Sequence, residues 1–97
     1  MREGLNKEEY EFLRKLFMKI TNMRSSTEEQ RNQVLDFVKN EFKKKKQKVD
    51  FIKKDIEENF YIYEFEFNNK KNYISFDKFG KLPINIVPFG VFSIETK

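Results

Sequence analysis

Early in the chain, apolar side chains fall at Tyr10, Leu13, Leu16, Phe17 and Ile20, the three-and-four spacing that lines them along one side of an α-helix. Residues 5–23 are therefore predicted to form an amphipathic helix. Asn6 stands at its N-cap, and Glu8 and Glu9 occupy the first turn, where carboxylates meet the positive end of the helix dipole. A second start signal follows in RSSTEEQ. Ser26 and Glu29 there are three residues apart at the head of another apolar repeat, which is the capping-box pattern.

From that point to Asn59 the chain holds no Gly and no Pro. Leu35, Val38, Phe42, Val49, Ile52 and Ile56 keep to the a and d positions of one heptad register, as in a coiled coil. A break near Lys46 to Lys48 would leave two helices of ordinary length. The register shared across residues 42–49 favours instead one unbroken helix of about 33 residues, roughly 50 Å long at 1.5 Å per residue. The helical part is then expected to run over 5–59.

Past Asn59 the period drops to two. In YIYEFEF, Tyr61, Tyr63, Phe65 and Phe67 point one way and Ile62, Glu64 and Glu66 the other, as in a half-buried strand. NNKK is turn-like, and a loop at 68–71 pairs Phe67 with Asn72, Phe65 with Ile74 and Tyr63 with Phe76. DKFGKLP closes that hairpin's second strand with a turn at Gly80. INIV and VFSIE read as shorter strands, and Pro83 and Pro88 confine INIV to a sheet edge or to the short stretch between them. The fold class expected is α+β in a single domain, 1–97. Two N-terminal helices, the second long, precede a three- or four-stranded antiparallel meander over 60–96 that packs on them.

The tract FKKKKQK raises the question of an anionic partner. On a helical wheel its lysines surround the helix: Lys45 falls inside the apolar arc, with Lys44 and Lys48 on one flank and Lys43 and Lys46 on the other. Groove binding prefers charge on one face, so a solvated helical waist is the simpler reading. Lys43, Lys44, Lys46 and Lys48 stay as the candidate anion or nucleic-acid contacts.

Composition changes little in this picture. Twelve Phe and four Tyr supply a core, while the formal net charge is +4. The scarcity of Gly, Ala, Arg and Pro beside abundant Lys, Asn and Ile points to AT-rich coding DNA, which raises lysine without selection for charge. The chain has no His, Cys or Trp, so disulfides, thiolate nucleophiles, imidazole bases and the common zinc sites are excluded.

Adjacent carboxylates such as Glu28 and Glu29 diverge on a helix. Glu64 and Glu66 share a strand face but make a poor cation site. No Gly-rich phosphate loop exists, and the aromatics of YIYEFEF are needed as core, with two glutamates beside them that would repel a base-stacked strand. No catalytic residue, cofactor, metal or small-molecule substrate is expected. Nor is a membrane partner: no apolar run approaches a span, and MREGLNKEEY lacks a signal-peptide core, which makes the expected location cytoplasmic.

Two binding classes remain. The first is a small protein-interaction module, such as an inhibitor or accessory protein of a virus or mobile element. It would act on another protein or on its own copy through a stripe of Val49, Ile52 and Ile56 that the shorter first helix leaves uncovered. The alternative is a nucleic-acid-binding regulator of winged-helix shape that uses the lysine run.

Overall fold

The computed structural model describes residues 7–55 and 58–87. Two helices, α1 (Lys7–Ile20) and α2 (Glu28–Lys44), precede four strands: β1 (Ile52–Lys54), β2 (Phe60–Phe67), β3 (Lys70–Asp77) and β4 (Asn85–Val87). The strands form one antiparallel sheet in the order β1-β2-β3-β4. This is the expected α+β arrangement with four strands. The radius of gyration is 12.6 Å, close to the roughly 13 Å of a folded chain of this length.

In α1, Leu13, Leu16 and Ile20 are buried, as their spacing requires, and Glu8 and Glu9 lie in the first turn. The expected cap Asn6 lies outside the described residues. Glu9 is more than a dipole partner. Its buried carboxylate accepts from Asn68 Nδ2 and from Lys70 Nζ, the latter at 2.9 Å, which ties the start of α1 to the β2–β3 hairpin tip.

The capping box of α2 sits one residue later than its spacing suggests. Thr27 is the N-cap: its Oγ1 accepts from Gln30 N at 3.1 Å, and Gln30 Oε1 accepts from Thr27 N at 3.2 Å. Gln serves at N3 as well as Glu does. Ser26 adds to the same acceptor, its N and Oγ each donating to Gln30 Oε1 at 3.0 Å.

The unbroken helix to residue 59 is the main correction. α2 ends at Lys44, and Lys45 is its C-cap. Lys46 follows in the left-handed region with φ 61°. Lys46 N donates to Lys43 O at 2.8 Å and Gln47 N to Phe42 O at 3.0 Å, which together make a Schellman stop. Lysine occupies the position that glycine usually marks, so the stop carries no signal in the residue types.

Beyond the stop, Val49 is buried and Phe51 packs on the core while Asp50 and Ile52 are exposed, a period of two. Ile52, Lys53 and Lys54 pair with Glu64, Tyr63 and Ile62. The ladder to β2 satisfies backbone groups that the helix would otherwise satisfy internally. Val49 is a core position under either reading, which is why the heptad persisted.

The β2–β3 hairpin is tighter than expected. Phe67 pairs with Lys70, Phe65 with Asn72, Tyr63 with Ile74 and Tyr61 with Phe76, leaving Asn68 and Asn69 as a two-residue turn with φ 54° and 65°. Asn tolerates this region better than most residues. The register moves by two from the expected one, so every side chain keeps its face. Among the described strands β4 lies at the sheet edge, in line with Pro83 before it, and the expected strand VFSIE lies outside the described residues.

Phe42, with no solvent exposure, is the hub of the core. Its ring centroid lies 5.0 Å from Phe12 of α1, 5.6 Å from Phe65 and 5.0 Å from Phe67 of β2, the three contacts being edge-on. Such pairs add about 0.5–1.5 kcal/mol each beyond burial. Leu13, Leu16, Ile20, Val34, Val38, Ile74, Phe76, Ile84 and Ile86 fill the remaining space between helices and sheet.

Candidate interaction surface

The end of α2 disperses the lysine run. Lys44 Nζ is 3.0 Å from Glu41 Oε2, and Lys19 of α1 holds the other oxygen at 3.0 Å. These two hydrogen bonds, Lys44 first, hold the Glu41 carboxyl below its ordinary value of 4.5. Lys45 turns its ammonium over the Phe12 ring, 4.7 Å from the centroid. Lys43 and Lys48 border a shallow recess that also contains Asp36 and Asp50, and Lys46 belongs to the Schellman stop. Cations at a helix C-terminus suit the dipole there.

The apolar stripe is dispersed too. Val49 is part of the core, Ile52 is 57% exposed on the edge strand β1, and Ile56 lies outside the described residues. With 14 residues in α1 and 17 in α2, the mismatch of helix lengths that motivated self-association is absent. Glu64 is buried with its Oε1 3.6 Å from Lys54 Nζ, so it is engaged across the β1–β2 pair and not presented beside Glu66. Among the described residues no three carboxylates come together as a metal site needs. Nor is any helix among them long and apolar enough to cross a membrane.

What the chain does present lies at the opposite end, in the turn after β3. Phe79 is 68% exposed and Leu82 54%, large apolar side chains held in water on one short segment. That segment is fixed from within. Asp77, itself buried, accepts at Oδ2 from Lys81 N at 2.7 Å and Leu82 N at 3.2 Å, while its carbonyl accepts from Gly80 N at 3.0 Å. Gly80 takes φ 70° with its Cα against Ser26. Beyond the turn, Ile84 N donates to Thr21 O at 3.2 Å. The turn is thus bound to α2's entrance on one side and α1's exit on the other.

Beside this turn stands a cationic group centred on Tyr61. Arg31 Cζ is 4.3 Å, Lys53 Nζ 4.9 Å and Lys78 Nζ 5.4 Å from the ring centroid. Arg31 is only 8% exposed and donates from one guanidinium nitrogen to Ser25 O at 3.0 Å. None of the three has a carboxylate partner among the described residues.

Periodicity alone concealed both features. DKFGKLP reads as a turn, and the clue within it is that Phe79 and Leu82 flank a glycine where neither strand alternation nor helical spacing requires apolar residues. The cation group joins α2, β1 and the end of β3, and no local spacing encodes it. Comparison with protein-family models, with curated proteins and with solved structures finds no match for this chain, so its function must be argued from these residues.

Proposed function

We propose that this chain is a non-enzymatic protein-interaction module that docks on a partner through Phe79 and Leu82. The observation that carries the reading is the exposure of these two side chains on a turn fixed by Asp77 and Gly80. Aromatic anchors dominate interface energies when they fill a pocket, and a pre-ordered anchor loses little conformational freedom on binding. Lys78 and Lys81 flank the anchors, so the matching surface is an apolar pocket with an acidic rim. An inhibitory or accessory role follows from occupying such a surface.

The test compares the chain with its Phe79→Ser/Leu82→Ser variant as immobilised bait in extract of the source cell, after circular dichroism has shown both to be folded. The expected result is one acidic-surfaced protein that the variant no longer retains and that rebinds the purified wild-type chain. Equal retention by both baits would sink the reading. So would fluorescence anisotropy showing tight, salt-sensitive duplex binding that is lost when Lys43, Lys44, Lys46 and Lys48 are changed to Gln, the outcome that favours a nucleic-acid regulator.

A further inference from the structure

We propose that the recess between β1, the start of β2 and the end of β3 is a binding site for a phosphate monoester. The recess has a volume of about 380 Å³ and is lined by Lys53, Lys54, Asp55, Phe60, Tyr61 and Lys78. Its charge is out of balance. Lys54 is engaged by Glu64 at 3.6 Å, but among the described residues Lys53 and Lys78 have no carboxylate partner and Asp55 is the one acid in the wall. Behind them, Arg31 lies against the same tyrosine ring with little solvent around it and no counter-ion among the described residues.

Cations gathered at one ring repel one another, and the cation–π contacts offset that repulsion without neutralising the charge. An anion between the Lys53 and Lys78 ammonium groups would relieve the repulsion and turn it into charge-assisted hydrogen bonds. Two ammonium groups match a doubly charged oxyanion better than a carboxylate. The aromatic walls, Phe60 and Tyr61, suit the organic part of an ester, and the recess exceeds what a bare phosphate fills. The recess shares Lys78 with the surround of the anchors but includes neither Phe79 nor Leu82, and it stands whether or not those dock on a protein.

Phenyl phosphate is the probe, titrated into the whole chain and followed by amide chemical shifts, with inorganic phosphate in a parallel arm. Saturable shifts are expected at residues 53–54, 60–61 and 78. The Lys53→Gln/Lys78→Gln variant should raise the dissociation constant about tenfold, the loss expected when charge-assisted bonds are removed. The Lys39→Gln/Lys43→Gln variant, which removes the same charge from the distant end of α2, should leave it unchanged, as should Phe79→Ser/Leu82→Ser. Shifts that never saturate, or equal weakening by both lysine pairs, would show diffuse attraction and overturn the site. Equal affinity for inorganic phosphate would overturn the ester. Tighter binding of a thymidine oligonucleotide than of phenyl phosphate, phosphate for phosphate, would overturn it in favour of nucleic acid.

Discussion

A methyl group built on Gly80 would lie 2.7 Å from Ser26 Cβ and 3.1 Å from Ser26 Cα. The turn that carries Phe79 and Leu82 therefore rests directly on the residue before the α2 cap, and glycine is required there twice over, for its φ of 70° and for the space. Gly80→Ala should destabilise the fold by about 1–2 kcal/mol or more, since the left-handed conformation alone costs that much for an L side chain. Ser26→Gly added to it should recover the steric part, read as non-additivity of about 0.5 kcal/mol or more in denaturant titrations. Additive losses would mean that the turn and the cap do not touch.

At the other end of α2, Lys46→Gly should stabilise. The Schellman position is held by a lysine at φ 61°, and relieving that strain outweighs the added freedom of glycine in the unfolded chain. The expected gain is about 0.5–1 kcal/mol, visible as a higher urea midpoint with an unchanged slope. A loss of helix signal or of stability would show that the helix does not stop there.

Phe42 joins α2 to Phe12 on α1 and to Phe65 and Phe67 on β2. Phe42→Ala should cost about 3–5 kcal/mol, a large share of the stability of a domain this small. Thermal unfolding by circular dichroism measures it, and a cost under about 1 kcal/mol would place the ring at the surface.

Acid should weaken the α1–α2 contact through Glu41. Its carboxyl is held below 4.5 in the folded chain by Lys44 and Lys19, so the unfolded state binds its proton first as pH falls. The contribution is complete above the unfolded value and is lost as pH drops through the folded one. Glu41→Gln should therefore flatten the fall of the melting temperature below about pH 5, the upper bound of such a carboxylate's titration. Parallel curves for the two proteins would show the pairing to be inert.

The α+β order, both helix starts to within a few residues, the aromatic face of β2 and the β4 edge were legible because each rests on a local period or a cap. Residues 45–54 were not. Their heptad spacing is genuine, yet Val49 suits an inward strand position as well as a helical one, and Lys46 gives no chemical sign of a left-handed turn. The β2–β3 register was missed by two for a similar reason: Asn68 and Asn69 bear the turn, and the lysines after them join the ladder. Of the candidate site residues, the lysines lie at the end of α2 and in the segment after it. The cations around Tyr61 come from elements far apart in sequence, which pattern reading along the chain does not join, and Phe79 and Leu82 sit in a turn where neither period applies.

Because every strand in the sheet neighbours the strand next in sequence, most pairings need only short loops to close, and the sheet can zip outward from the Asn68–Asn69 turn. The costly closures are those that bring α1 back: Glu9 to Lys70 at the hairpin tip and Thr21 to Ile84 beside β4. Loop-closure entropy is met late and at few points. The first helix should then be the last element to dock as the chain folds and the first to leave under strain, so that its departure frees Thr21 from Ile84 and loosens the very turn that holds Phe79 and Leu82 in place.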